Sequence, residues 1–140
     1  MSFQANLGTL LRTVDAVGAC MALPDSDHYR DSLQVGDTLG RRRPHVHWVR
    51  RGRERWVAER QDEGWRVVAV ELAEGATPLP RLEPARRRTL VLLGHERNGV
   101  PDDLVERADE CVEIPMVGRG ASLNVAVAGS LVLYRLAGLS

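Results

Sequence analysis

The sequence predicts an α/β domain with a mainly parallel sheet, and two observations point to it. Short continuous apolar runs of strand length alternate along the chain with segments of helical period. The length, 140 residues with 44% apolar and 27% charged side chains, suits one domain with its own core.

The elements follow in order. Leu7, Leu10, Leu11, Val14 and Val17 recur at three- and four-residue spacing, which predicts a helix capped by Asn6 and ended by Gly18. Ala19 to Leu23, closed by Pro24 and Asp25, reads as a buried strand. A short helix is expected within Asp27 to Leu39 and a strand at Val46 to Val49. Arg53 to Glu63 has helix-forming composition and stops at Gly64, before a strand within Trp65 to Leu72 whose Val67 to Val70 are apolar throughout. Pro78, Pro80 and Pro84 mark a loop. Thr89 to Leu93 is the next strand, Pro101 opens a helix through about Ala108, and Cys111 to Met116 is another strand. After a Gly-rich loop at Val117 to Ala121, Ser122 caps a last helix at positions 123 to 137, apolar all round and so expected to be buried on most faces.

Composition excludes several classes of chemistry. All 19 basic residues are Arg, so no Schiff-base lysine, lysine base or P-loop lysine exists. Cys20 and Cys111, each in an apolar run, read as reduced buried thiols and not as a disulfide. No signal peptide and no apolar stretch long enough to span a bilayer is present, which predicts a cytoplasmic location. Gly118-Arg119-Gly120 lacks the third glycine of a dinucleotide loop, His95-Glu96 lacks the second histidine of a zinc protease, and Asn124 replaces the last glycine of a nucleophile elbow. His45 and His47 would share one side of a strand but have no third ligand nearby, so no metal is expected.

Nineteen acids balance the nineteen arginines, yet charge is segregated. Residues 41 to 55 carry seven arginines and one acid, with Trp48 inside the run and Trp56 directly after it; residues 102 to 113 carry six acids and one arginine. Arginines with aromatic faces suit RNA, phosphates meeting the first and bases the second. Arg41, Arg42, Arg43, Arg50, Arg51 and Arg53 are therefore candidate RNA contacts, with a solvated face as the competing explanation.

Three blocks in fixed order carry the chemistry. They are Asn6-Leu7-Gly8-Thr9-Leu10-Leu11-Arg12-Thr13; Gly94-His95-Glu96-Arg97-Asn98-Gly99; and Ile114-Pro115-Met116-Val117-Gly118, continuing through Ser122-Leu123-Asn124-Val125-Ala126-Val127-Ala128. Together they closely resemble the three motifs of the SpoU/TrmH family of RNA ribose 2'-O-methyltransferases, in the SPOUT class. The third block is long and specific, and the resemblance runs from about Asn6 to Leu136.

The resemblance implies one SpoU-type methyltransferase domain over residues 1–140, with helices on both sheet faces and a C-terminal trefoil knot that binds S-adenosylmethionine. It also implies a homodimer acting on a ribose hydroxyl of RNA, with tRNA favoured over rRNA. The cofactor would lie against Leu93, Gly94, Glu96, Gly99, Ile114, Met116, Ser122, Leu123 and Asn124. Glycines 94, 99, 118 and 120 would let main chain approach it closely. Arg12 matches the family's catalytic arginine, with Asn6, Glu96, Ser122 and Asn124 as the other polar active-site positions. Methyl transfer from a sulfonium to a hydroxyl needs alignment and help with a proton, not a metal. Family members carry a strand before the first motif, whereas only Met1 to Ala5 precede Asn6, so that strand is expected to be missing. A catalytically inactive knotted RNA-binding module of the same fold is the alternative.

Overall fold

The computed structural model describes residues 3–50, 52–94, 99–120 and 123–140, with the side chains of residues 3, 4 and 41 excepted. The chain forms two compact units, Met1–Arg53 and Glu54–Ser140. All strand pairs are parallel, as expected, but they make two sheets and not one.

The first unit contains α1 (Phe3–Ala16), β1 (Met21–Pro24), α2 (Asp27–Gly36) and β2 (Val46–Val49). The apolar stripe of α1 buries Leu7, Leu10, Leu11 and Val14. Helix α1 starts at Phe3, earlier than its stripe, so Asn6 is a buried residue within the helix and not its cap. Gly18, at φ 72°, ends the helix: its N–H donates to Asp15 O at 3.1 Å and the Ala19 N–H to Val14 O at 2.9 Å. In β1, Met21 and Leu23 are buried while Ala22 and Pro24 are exposed. Cys20 lies just outside this strand and is exposed, against expectation. Ser26 caps α2 by accepting from the Tyr29 N–H, and Leu33 is that helix's buried anchor. Gly8 faces the end of α2 so closely that a Cβ on it would stand 2.5 Å from Gly36 O.

The second unit contains α3 (Arg53–Asp62), β3 (Arg66–Val70), β4 (Thr77–Pro78), β5 (Thr89–Leu92), α4 (Asp102–Arg107), β6 (Glu110–Glu113) and α5 (Val125–Leu136). Its sheet runs β4-β6-β3-β5. Val67 and Ala69 of β3 pack with Val57 of α3 and with Val100 and Leu104 at α4. Val68 turns the other way, to Leu82 and to Val132 and Leu136 of α5. Helices therefore cover both faces of this sheet. Strand β4 falls in the stretch read as a loop; two residues long and at the sheet edge, it tolerates Pro78, which can offer the ladder no donor. The cap of α5 is Asn124, whose side chain accepts from the Ala126 and Val127 N–H groups, so the helix begins later than a Ser122 cap requires. Helix α5 buries one face, through Ala126, Gly129, Val132 and Leu136. Val127, Leu131 and Tyr134 are exposed, contrary to the expectation of burial on most faces.

The Gly8 approach yields a test. Gly8→Ala should destabilise the protein by about 1–3 kcal/mol, because a backbone carbonyl cannot yield as a side-chain tip can. This outweighs the roughly 1 kcal/mol that alanine gains over glycine in helix propensity. Urea denaturation followed by circular dichroism measures the difference.

Candidate active site

In the first unit, Arg12 projects from α1 and is exposed. Its Nε donates to Thr38 Oγ1 at 2.9 Å, and among the described residues no carboxylate pairs with it. It borders an open pocket of ≈ 340 Å³ with Gly8, Thr9, Val35, Gly36 and Thr38. The closely approaching Gly8 and Gly36 line the same pocket.

Of the candidate RNA contacts, Arg43 lines a second hollow of ≈ 310 Å³, with Arg30, Leu33, Gln34, Asp37 and Trp48. Arg43 stands 3.5 Å from Asp37, and Arg50 is 3.3 Å from Asp25, so acids offset part of the basic stretch. Arg42 and Arg53 are exposed, in the short 3-10 turn Gly40–Arg42 and at the first residue of α3. Arg30, unremarkable in sequence, bonds Asp25 at 2.7 Å and lies 4.2 Å over the Trp48 ring. Its hydrogen bond, more than any other influence, holds the Asp25 carboxyl below the ordinary carboxylate range. Trp56 likewise carries Arg60 at 4.6 Å. One face of each indole is thus occupied by an arginine from outside the 41–55 run.

In the second unit, the carboxyl ends of the adjacent strands β5, β3 and β6 deliver Leu93 and Gly94, Glu71, and Ile114. Leu93 and Ile114 are half-buried, whereas Met116 and Leu123 are exposed. Gly94 crosses its own chain: a Cβ there would run into the backbone of Gly99 and Val100, 2.5 Å from Gly99 O. Gly99, at φ 65°, packs against the Glu71 carboxylate, whose Oε2 accepts from the Val100 N–H at 2.7 Å. These two glycines permit main chain to meet main chain and carboxylate. Gly118 faces open space and Gly120 approaches only Met116 Cε, at 3.6 Å. Asn124 ties this region to the first turn of α5.

Glu96, Ser122 and Arg51, and the side chain of Arg41, lie outside the described residues. Glu71 escaped sequence reading altogether, since a lone acid after a strand carries no signal. Burial, and then the charges of Glu71 and Glu110, push the Cys111 thiol pKa up, which disfavours its thiolate. His45 and His47 have ring centroids 4.3 Å apart, and no group of three metal-binding side chains exists among the described residues. No helix among them is long and apolar enough to cross a membrane.

Comparison with known proteins places this arrangement. The SpoU rRNA Methylase family matches residues 1–134. The 23S rRNA (guanosine(2553)-2'-O)-methyltransferase RlmP of Bacillus subtilis is 35% identical over 136 residues, 95% of this chain and 53% of its own length. The tRNA (guanosine(18)-2'-O)-methyltransferase of Escherichia coli K12 is 29% identical over 133 residues, 92% of this chain and 56% of its own. The chain thus spans about half the length of these curated relatives. The AdoMet-bound rRNA methyltransferase from Sinorhizobium meliloti superposes with a TM-score of 0.76 at 27% identity, over 95% of this chain and 51% of that one. The A. aeolicus TrmH/SpoU tRNA modifying enzyme, at 24% identity, shares the fold with a TM-score of 0.79, over 99% of this chain and 71% of that one.

Asn124 has a measurable structural share. Asn124→Ala should cost about 1 kcal/mol through loss of the α5 cap, while Asn124→Asp, which can accept the same bonds, should restore most of it. Thermal denaturation of the two variants separates this capping cost from any loss of activity.

Proposed function

Because the chain belongs to the SpoU rRNA methylase family, we propose that it is an S-adenosylmethionine-dependent methyltransferase acting on a ribose 2'-hydroxyl of RNA. The observation that carries this reading is the family match over residues 1–134, which takes in all three motif blocks. The relatives' names point to a guanosine in tRNA or in 23S rRNA, with tRNA the first substrate to test.

The residues fit the cofactor. Three neighbouring parallel strands end together, and at such ends ligands meet free main-chain groups. Leu93 and Ile114 offer apolar surface for an adenosine, with Gly94, Gly99, Met116, Leu123 and Asn124 completing the cofactor set. Glu96 and Ser122 belong to it by their place in the motifs. When bound, the cofactor supplies an electrophilic methyl group. Arg12 then acts as a fixed cation for an RNA phosphate, since a guanidinium is a costly base while its planar fork matches phosphate oxygens. Its bond to a neutral hydroxyl orients the fork without cancelling the charge. Asn6, buried within α1, positions that helix, and Asn124 the start of α5.

The reading treats both units as one SpoU-type domain with a C-terminal trefoil knot, supported by a family match that spans them. It also assigns a homodimer, supported by the exposed stripe Val127, Leu131 and Tyr134 on α5, which a second copy would cover. A cytoplasmic location accords with such RNA substrates.

Purified protein given methyl-labelled S-adenosylmethionine and tRNA or 23S rRNA transcripts should yield 2'-O-methylated nucleosides on digestion; no label in either RNA refutes the reading. Arg12→Ala should lower kcat by about a hundredfold while leaving cofactor affinity unchanged, the loss expected for one transition-state donor. Replacing Arg42, Arg43, Arg50 and Arg53 by Gln should reduce the salt slope of RNA binding by about 0.7–0.9 for each phosphate no longer neutralised. Filter binding across a salt series measures that slope.

A further inference from the structure

We propose that Glu71 is a positioning residue: its carboxylate latches the chain crossing at Gly94 and Gly99–Val100 and so sets the cofactor-binding face of the second motif. The proposal rests on the functional reading above, which assigns Gly94 and Gly99 to the cofactor.

Three observations carry it. The Val100 N–H donates to Glu71 Oε2 at 2.7 Å, a short bond to an ionisable acceptor. Val100 is only 4% exposed, so its amide has little access to water as a substitute partner. The carboxylate also packs against Gly99 where any side chain would stand; its Cδ is 3.1 Å from an ideal Cβ there. Gly99 is therefore doubly constrained, by a left-handed φ of 65° and by the carboxylate.

Glu71 is itself well anchored. It follows β3, whose Val67, Val68 and Ala69 are fully buried, and its own N–H donates to Val112 O of β6 at 3.0 Å. The latch thus adds a bond from the sheet to a crossing whose two glycines have no side chains to pack, beside the core packing of Val100. Gly94 and Gly99 meet backbone to backbone, and dispersion between two glycines is small. A charge-assisted hydrogen bond from the sheet is what this geometry adds. Leu93 and Gly94 on one side and Gly99 on the other then present their main chain in one arrangement.

The test compares wild type, Glu71→Gln and Glu71→Ala by two readouts: amide hydrogen exchange at Val100, with Val68 as the core reference, and calorimetric titration with S-adenosylmethionine. In Glu71→Ala, Val100 exchange should accelerate at least about tenfold relative to Val68, and cofactor affinity should fall by about tenfold, the scale set by one bond to a charged group. Glu71→Gln keeps an acceptor oxygen and should stay within about threefold of wild type in both, because the neutral bond retains most of the geometry. Affinity for RNA should not change in either variant. Unchanged Val100 exchange in Glu71→Ala overturns the latch. Accelerated exchange with unchanged cofactor affinity overturns its positioning role. Equal loss of cofactor and RNA affinity marks general destabilisation and overturns it as well. A wild-type protein that binds no S-adenosylmethionine refutes the functional reading instead, and with it the cofactor role of the latch; the exchange data still decide whether the latch exists. Should Glu71→Ala fail to fold, the Gln variant decides the question against Glu71→Leu, which fills the space without an acceptor.

Discussion

Strand β3 lies between β5 and β6 and is covered on both faces, with Val67 and Ala69 turned to α3 and α4 and Val68 turned to α5. Each valine fully buried in this way stabilises the fold by about 1.5–3 kcal/mol relative to exposure. A slip of one residue would exchange the two faces and put Val68 against the wrong helices, so the register is strongly specified. What leaves the end of β3 is therefore placed as firmly as the core itself. The strand ends of β5 and β6 inherit the same placement, since Val68 pairs with Val91 on one side and Val70 with Val112 on the other.

The motif glycines are intelligible from this rigidity. Gly8 lets α1 approach the end of α2, and Gly94 lets the chain after β5 cross Gly99 and Val100. In both cases the missing side chain serves the protein's own backbone. A motif glycine invites the inference that a ligand comes close, whereas at positions 94 and 99 the missing side chains make room for the protein's own backbone and the Glu71 carboxylate. Gly118 and Gly120, with space around them, are the positions where direct approach remains open.

Much of the fold was legible because hydrophobic period and punctuation agree. Strand β2 falls on Val46–Val49 as its apolar run predicts, and Gly18 and Gly64 stop helices with positive φ at the positions where sequence places them. The failures have physical causes. Ser122 and Asn124 are both good cap formers, and only the path of the chain decides between them. Asn6 misleads in the same way, since a cap-forming residue just before an apolar stripe is also compatible with a helix that begins earlier. An apolar α5 reads as buried on most faces, but its described neighbours cover one face. Of the candidate site, the motif positions were visible, whereas Glu71 was not, because its contact with Val100 spans 29 residues and depends on how β3 and the chain after β5 lie side by side.

A chain whose only basic residues are Arg offers many candidates for phosphate binding, but most described ones are engaged by the protein itself. Arg66 pairs with Glu110, and Arg135 donates to the carbonyls of Leu82 and Pro80. Arg30 bonds Asp25 while stacking on Trp48. Arg12 differs in kind. A hydroxyl at 2.9 Å holds its Nε, so the fork is oriented, yet no described carboxylate neutralises it. Net charge near zero therefore does not argue against the proposed RNA substrate, because a phosphate meets local, oriented charge and not the sum over the surface.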